Sequence, residues 1–451
     1  MQSLHQPDRR RLFAVKVPRY TSYPPANHFS ATAGAAHQEA WLRAIPEGEA
    51  ISVYVHIPFC RRLCWFCACR TQGTASLRPV EAYVKDVIAE IGLLRSSLGG
   101  RRAIARLHLG GGTPTLLDAA TITLLLQALF AAFEPAEGFE FSVEIDPTEA
   151  ADEVLDALAA FDMNRASIGV QDFDPAVQRA IGREQSFGQT RRAVSVLRAA
   201  GVGSLNVDLL YGLPHQDRAS LARSLIKVLH LQPDRIALYG YAHVPWMSKR
   251  QAMIDRDLLP DAQERYELAA LARVHLVRDG YEEIGIDHFS RPGDGLAVAR
   301  DAGRLRRNFQ GYTDDPARTL IGIGASAISQ FRQGYCQNAA ATSAYSRRIR
   351  EGRLAGQRGF ELSAADRLSA RLIEELMCRF SFDMARMSDE FPGAQAEIRL
   401  AGERLLEAWP DLCELSDGKL ALRPEGHALV RVIAATLDAF TTPDQAHSMA
   451  V

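Results

Sequence analysis

Four of the seven cysteines fall in one stretch of ten residues, Cys60-Arg-Arg-Leu-Cys64-Trp-Phe-Cys67-Ala-Cys69. The stretch follows an alternating apolar run, Ile51 to Phe59, so the thiols sit at the end of an expected strand, where parallel α/β folds keep their chemistry. Thiolates this close bind a metal or a cluster, form disulfides, or carry out redox work. Zinc ribbons and fingers pair two cysteines and need a second pair further on, but Cys336, Cys378 and Cys413 stand alone. A disulfide knot fits poorly, because the chain is long enough to bury its own core and no secretory signal is evident. The favoured reading is an iron–sulfur cluster held from one short loop by three thiolates, which leaves one iron without a protein ligand. Zinc and isolated redox cysteines stay open as alternatives.

Other segments carry polar groups at expected strand ends. His108-Leu-Gly-Gly-Gly-Thr-Pro-Thr115 holds three glycines that let backbone approach a ligand and permit positive φ. It lacks the lysine of a nucleotide phosphate loop. In Phe139 to Pro147, Glu140, Ser142 and Glu144 share one face of a strand, turned either towards a ligand or towards solvent. Gln171 and Arg183 follow the next strand, and an arginine fork suits a carboxylate. Asp208, Tyr241-Ala-His-Val-Pro245 and the small-residue run Leu320 to Ser329 occupy similar places. His56 is either a ligand-side residue or a packed strand-end histidine.

The elements that must position these groups are legible from periodicity. Strands are expected at 51–57, 106–110, 139–145, 165–170, 203–209, 235–241 and 281–286. Helices are expected between them, at 80–94, 119–133, 154–161, 188–200, 220–231 and 262–278. This alternation means βαβ units, and six of them predict an α/β fold built as a partial, open (β/α)6 barrel. Three parts are expected: an arm over 1–48, a barrel over 49–330 and a mainly helical cap over 331–451. After 330 helices at 365–380 and 394–409 dominate, with a hairpin near 417–426 and a helical run to about Phe440. That tail admits a winged-helix DNA reader, but a cap is favoured because no basic stripe accompanies it.

Composition fits the same picture. The 451 residues are 47% hydrophobic and 24% charged, with a net charge of −2, so no global field favours nucleic acid. Arg9, Arg10 and Arg11 make the start basic, yet no apolar targeting segment follows. The run Ile122 to Phe133 is too short for a membrane span, and Gln127 interrupts it. A cytoplasmic location is expected.

Cys60, Cys64 and Cys67, in a C-x3-C-x2-C loop after a strand, resemble the radical S-adenosylmethionine (radical SAM) superfamily. More narrowly, Arg19-Tyr-Thr-Ser-Tyr-Pro24, Tyr54 to Cys60, Cys69, Gly169-Val-Gln-Asp-Phe173, Asp208 to Pro214, Tyr241-Ala-His243 and Arg307 to Tyr312 closely resemble the oxygen-independent coproporphyrinogen III oxidases. The resemblance implies a [4Fe–4S] cluster on Cys60, Cys64 and Cys67, with Cys69 required for activity without ligating and His56 a further catalytic candidate. It implies two S-adenosylmethionine molecules. The first would meet Tyr54, Gly111, Glu144 and the backbone near Ile328; the second would meet Phe66, Gly112, Thr113, Gln171, Arg183, Asp208 and Ala242. The implied reaction, through a 5′-deoxyadenosyl radical, converts two propionates of coproporphyrinogen III to vinyl groups in haem biosynthesis. Arg19, Arg291 and Arg307 are candidate partners for the substrate carboxylates. A reduced donor such as flavodoxin or ferredoxin and a monomeric state are expected, without nucleic acid. The family commonly has Gly at Ala68, Tyr at Trp65 and Asn at Arg70; none of these departures touches a cluster ligand. Rival readings are a haem-binding chaperone relative, a radical enzyme that opens the haem ring, and a structural iron–sulfur or zinc protein.

Overall fold

A computed structural model describes Leu12 and residues 15–440; Arg9, Arg10 and Arg11 lie outside the described residues. Six strands, β1 (Ile51–Ile57), β2 (Arg102–Gly111), β3 (Phe133–Ile145), β4 (Arg165–Gln171), β5 (Ser204–Tyr211) and β6 (Arg235–Gly240), lie side by side in parallel. The connecting helices are α1 (Arg78–Ser97), α2 (Ala119–Ala132), α3 (Asp152–Ala159), α4 (Phe187–Ala199) and α5 (Arg218–His230), and α6 (Ala262–Arg278) follows β6. The six expected β/α units are therefore present.

The remaining strands extend this sheet on both sides. β7 (Glu282–Ile284) and β8 (His288–Ser290) form an antiparallel hairpin on β6, so the strand expected at 281–286 is an edge and not a seventh barrel unit. Gly285, at φ +60, ends it early. Past the other edge, β9 (Leu320–Ile323) pairs in parallel with β1, and β10 (Ile328–Gln330), β11 (Gly334–Asn338) and β12 (Gly356–Glu361) continue antiparallel. The twelve-stranded order is β12-β11-β10-β9-β1-β2-β3-β4-β5-β6-β8-β7. Strand signal thus runs on past residue 330, where helices were expected to dominate.

The parallel strands alternate cleanly. Val53, Val55, Leu107, Leu109, Phe141, Val143, Ile168 and Val207 point to the helices and form one continuous core. The opposite face is polar and lines the barrel. Its floor is ionic: Arg165 donates to Glu140 at 3.0 Å, Arg106 reaches Asp314 at 3.3 Å, and Arg235 grips Asp294 at 2.7 Å. Burial opposes a charge on Glu140, but Arg165, Arg235 and Arg106 prevail and hold its carboxyl down to about 2. Glu140, Ser142 and Glu144 therefore face inward, which resolves the choice that periodicity left open.

A second buried cluster joins α7 (Ala364–Arg379) and α8 (Gln395–Ala408) to Val17, Tyr20 and Tyr23 of the arm. Beside it Ser381–Asp383, Cys413–Ser416 and Lys419–Leu422 form a three-stranded sheet. The hairpin between the last two turns at Asp417 and Gly418, both at positive φ. Among the described residues no helix is long and apolar enough to cross a membrane.

Candidate active site

The cysteine loop leaves the C-terminal end of β1 and is clamped from three sides. Phe59–Cys60 pairs with Gln72–Gly73, and the Thr74 N–H donates to the Cys60 carbonyl at 3.0 Å, closing its base. After β4, the Ile181 carbonyl accepts from the Trp65 N–H at 2.9 Å, and the Trp65 ring lies against Gly182. After β6, Gln251 donates to the carbonyls of Phe66 (2.7 Å) and Ala242 (3.1 Å), while Ser248 donates to that of Cys67 (2.9 Å). Ala68 is not among the residues with positive φ, so alanine there adopts its backbone without left-handed strain.

Cys64 is buried, Cys60 and Cys67 are half-buried and Cys69 is exposed; all four are free thiols. Donors are aimed at two of the sulfurs: Arg183 at Cys64 and the Cys69 N–H at Cys67, each at 3.4 Å. The Cys69 thiol and N–H hold Cys67 down to about 6 against its burial, and Cys69 itself keeps its proton to higher pH. Burial pushes Cys60 up to about 11, opposed by the Thr113 hydroxyl. Thiolate is the ligand form, so hydrogen bonds to sulfur suit cluster binding. Among the described residues no three such side chains are gathered as for a single metal ion. Three thiols on one short loop, with hydrogen-bond donors aimed at two of them, suit a cluster.

Beside the loop, the glycine run is shaped by the protein's own side chains. A Cβ at Gly110 would meet Glu144 at 2.7 Å, one at Gly111 (φ +111) would strike the His56 ring, and one at Gly112 would meet the Phe59 carbonyl at 2.5 Å. The Gly112 and Thr113 N–H groups donate to the carbonyls of Ile57 and Phe59, both at 2.8 Å. Glu144 accepts from the Gly111 N–H at 2.9 Å and lies 3.4 Å from His108 Nε2. Burial works against its charge, yet His108 and Gly111 hold the carboxyl below the ordinary range. Its side chain is still 40% exposed, leaving it able to meet a ligand cation.

His56 Nδ1 lies 3.0 Å from the Tyr54 hydroxyl, and Nε2 lies 3.1 Å from the Arg70 carbonyl. That partner set fixes the tautomer with Nε2 protonated and Nδ1 accepting. Burial lowers its basicity against the Arg70 carbonyl and Glu144, which favours the neutral imidazole. Tyr54 stacks on His108 at 5.7 Å, and its β9 partner Gly322 packs on the Ile328 backbone. Tyr54, Gly111, Glu144 and Ile328 thus belong to one neighbourhood.

A second neighbourhood lies at the ends of the adjacent strands β3 to β5. Arg183 is buried, with Nη1 on Asp146 at 3.1 Å and Nη2 on the Gly169 carbonyl at 2.7 Å. Its fork is therefore engaged by the protein itself. Gln171 sits at the end of β4 with φ +70 and approaches the same Gly169. Asp208 accepts from Asn206 at 2.7 Å and Ser167 at 3.1 Å, and burial raises its pKa. Phe66 packs with Tyr241 and Ile254. Ala242 lines a cavity of about 1360 Å³ between the barrel mouth and the C-terminal helices.

Arg19 and Arg307 line that cavity, but Arg291 does not. Arg291 is held by Asp279 and lies over the Tyr281 ring at 4.0 Å, a structural role that corrects the expectation for it. Sequence reasoning missed Arg265 and Arg431 in the cavity wall, His108 beside Glu144, and Asp146 beside Arg183. His108 could have been found, because it shares the inward face of its strand two residues before Gly110. Arg431 gave no signal, since only the tertiary fold brings the last helix to the barrel.

The radical SAM superfamily pattern matches residues 54–225. The oxygen-independent coproporphyrinogen III oxidase of Paracoccus denitrificans is 53% identical over 455 residues, covering 100% of both chains. That of Cereibacter sphaeroides (strain ATCC 17025) is 52% identical, covering 97% of each. Among solved structures, coproporphyrinogen III oxidase (HemN) from Escherichia coli, a radical SAM enzyme, superposes with a TM-score of 0.89 at 35% identity, covering 95% of this chain and 100% of that one. Membership of the superfamily implies a [4Fe–4S] cluster and S-adenosylmethionine as cofactors, in keeping with the donor set around Cys60, Cys64 and Cys67. Full-length identity at this level, with the cysteine loop and barrel in place, means that the chain belongs to the oxygen-independent coproporphyrinogen III oxidase family.

Proposed function

We propose that the chain is an oxidoreductase that converts two propionate arms of coproporphyrinogen III to vinyl groups without O2, yielding protoporphyrinogen IX for haem biosynthesis. The observation that carries this reading is the full-length identity to the Paracoccus oxidase combined with a three-thiol loop beside a basic cavity. Each arm loses a hydrogen atom from its β-carbon, then CO2 and one electron, so an electron acceptor is also required. When bound, the cluster and S-adenosylmethionine supply the carbon radical that takes the hydrogen atom.

The chain's own residues bind and orient. Cys60, Cys64 and Cys67 would hold the cluster, and Trp65 and Phe66 keep water from that loop. Glu144 and the Gly111 backbone, with Tyr54 and Ile328, would receive one S-adenosylmethionine, the carboxylate facing its ammonium group. Phe66, Gly112, Thr113, Gln171, Arg183, Asp208 and Ala242 would receive a second; Arg183 must then share its fork with Asp146. His56, neutral and held between Tyr54 and Arg70, orients the glycine run. Cys69 stands nearest to Cys67 and is proposed as the proton- or electron-handling residue. A flavodoxin- or ferredoxin-like donor, a monomeric state and a cytoplasmic setting complete the proposal, as does a helical cap over the barrel.

The test is anaerobic. The protein reconstituted with iron and sulfide is reduced, mixed with S-adenosylmethionine and coproporphyrinogen III, and products are followed by mass spectrometry. Protoporphyrinogen with methionine and 5′-deoxyadenosine is the expected result. Stable haem binding without decarboxylation would instead select the chaperone relative.

A further inference from the structure

Arg307 stands apart from the other buried arginines. The residue is buried, and its guanidinium donates through Nη2 to the Arg19 carbonyl at 3.1 Å and lies over the Tyr312 ring at 4.2 Å. Nε and Nη1 are buried without a hydrogen-bond partner. Other arginines with a buried, unpartnered nitrogen, among them Arg106, Arg165, Arg235 and Arg379, each have a carboxylate within ion-pair distance. No such pair is found for Arg307 among the described residues. Buried donors left without acceptors are costly, so a native structure that keeps them signals a missing partner.

The surroundings say what that partner is. Arg307 lines the large cavity with Arg19, Arg265 and Arg431. Arg431 is also buried and spends Nε and Nη2 on the Pro18 and Val17 carbonyls, at 3.1 and 2.6 Å. Burial, Arg19 and Arg307 together pull its basicity down to about 9, the effect of like charges crowded in a dry site. The nearby acid Asp287 attracts Arg307 and Arg19 without an ion pair to Arg307, and its Oδ1 lies 2.7 Å from His288 Nδ1. The cavity wall as a whole carries Lys16 and eight arginines against four acids, a lining that favours an entering anion.

We propose that Arg307 is the seat for one carboxylate of the substrate, with Arg19 and Arg431 supplying the field around it, so that the cavity binds a polycarboxylate macrocycle. This rests on the functional reading above. The Arg19 carbonyl positions the guanidinium, and the Tyr312 face supports it from behind. The seat lies on the short hairpin Arg306–Asn308 and Gly311–Thr313, outside the barrel strands, and therefore selects the ligand without touching the cysteine loop.

The test uses the anaerobically reconstituted full chain, with coproporphyrin III as a fluorescent probe, its tetramethyl ester as an uncharged control, and benzenetetracarboxylate as a small competitor. The expected result is that Arg307→Met weakens coproporphyrin III binding at least tenfold, Arg307→Lys restores part of it, and the ester is indifferent to both changes. In turnover, KM rises while iron content and reductant-driven cleavage of S-adenosylmethionine are retained. Unchanged binding and KM in both variants, with normal turnover, would overturn the seat and leave the functional reading intact. Arg307-dependent binding of benzenetetracarboxylate in a protein that neither binds nor converts the porphyrin would keep the seat and sink the functional reading. If Arg307→Met fails to fold, the binding and KM of Arg307→Lys decide between these outcomes.

Discussion

Gly111 shows how a single residue serves two ends. Its φ of +111 is costly for any other residue, and a Cβ there would strike the His56 ring. Gly111→Ala therefore carries a backbone cost of roughly 1–2 kcal/mol and displaces the neutral histidine between Tyr54 and Arg70. The expected outcome is a variant that takes up iron and sulfide normally but binds S-adenosylmethionine at least tenfold more weakly. The change in the electron paramagnetic resonance signal of the reduced cluster on adding S-adenosylmethionine reads this directly. Glu144→Gln should give the same spectral deficit by a different route. It keeps a carbonyl for the Gly111 N–H but loses the charge that His108 helps maintain, and a wild-type titration curve would refute that role. Cys69→Ser separates structure from chemistry at the loop, because the backbone donor to Cys67 stays in place. A cluster retained with turnover lost is expected; full activity would remove Cys69 from the reaction.

At the scale of elements, alternation in the sequence was enough to find β1 to β6, because each has apolar residues facing the helices and polar ones facing the barrel. It also grouped Glu140, Ser142 and Glu144 correctly before their direction was known. The strands it missed are short. β9 to β12 run three to six residues, too few for a period to emerge, and Leu320 to Ser329 read as a rim loop although it contains β9 and the start of β10. Buried polar residues on helices were equally silent. Glu90 lies on the apolar face of α1, where its carboxylate accepts from the Gly324 N–H, the Tyr345 hydroxyl and Asn338 Nδ2, each at 2.7 Å. It ties α1 to the β9–β10 turn and to the helix Thr342–Arg350. Burial outweighs those three donors and lifts its carboxyl from 4.5 to about 7. The folded state then holds a proton that the unfolded chain has released, so the contribution of Glu90 to stability is greatest below pH 4.5 and is lost as pH rises to 7. The shift corresponds to about 3 kcal/mol. Glu90→Gln should flatten this slope in urea melts taken between pH 4.5 and 7, and an unchanged slope would place its origin elsewhere.

On the scale of the whole molecule, two cores are joined by the arm. Ala33 and Trp41 belong to the core under the sheet, whereas Val17, Tyr20 and Tyr23 belong to the core of the C-terminal helices. Between them, Ser30 bridges to Gly359 of β12, and the Phe29 ring stacks on Tyr335 at 5.5 Å. At its other end the arm supplies the carbonyls that hold Arg307 and Arg431, and Arg19 donates to the Gly240 carbonyl at the end of β6 at 3.1 Å. The Tyr20 hydroxyl donates to Asp438 at 3.0 Å, and the Tyr23 hydroxyl accepts from the Ala439 N–H at 3.1 Å, so the arm also secures the end of the described chain. Among the described residues the clamps on the cysteine loop come from 72–74, 181–184 and 242–251, with none from the arm. Removing residues 1–24 should therefore separate the two functions. Among the described residues the core loses the buried side chains of Val17, Tyr20 and Tyr23, each contributing about 1.5–3 kcal/mol, and the C-terminal core opens. Faster proteolysis after residue 364 and weaker coproporphyrin III binding are expected, while iron content and S-adenosylmethionine cleavage stay close to those of the intact chain. If the truncated protein instead lost its cluster and kept a protease-resistant C-terminal unit, the arm would have to support the barrel, and the division of labour argued from these contacts would be wrong.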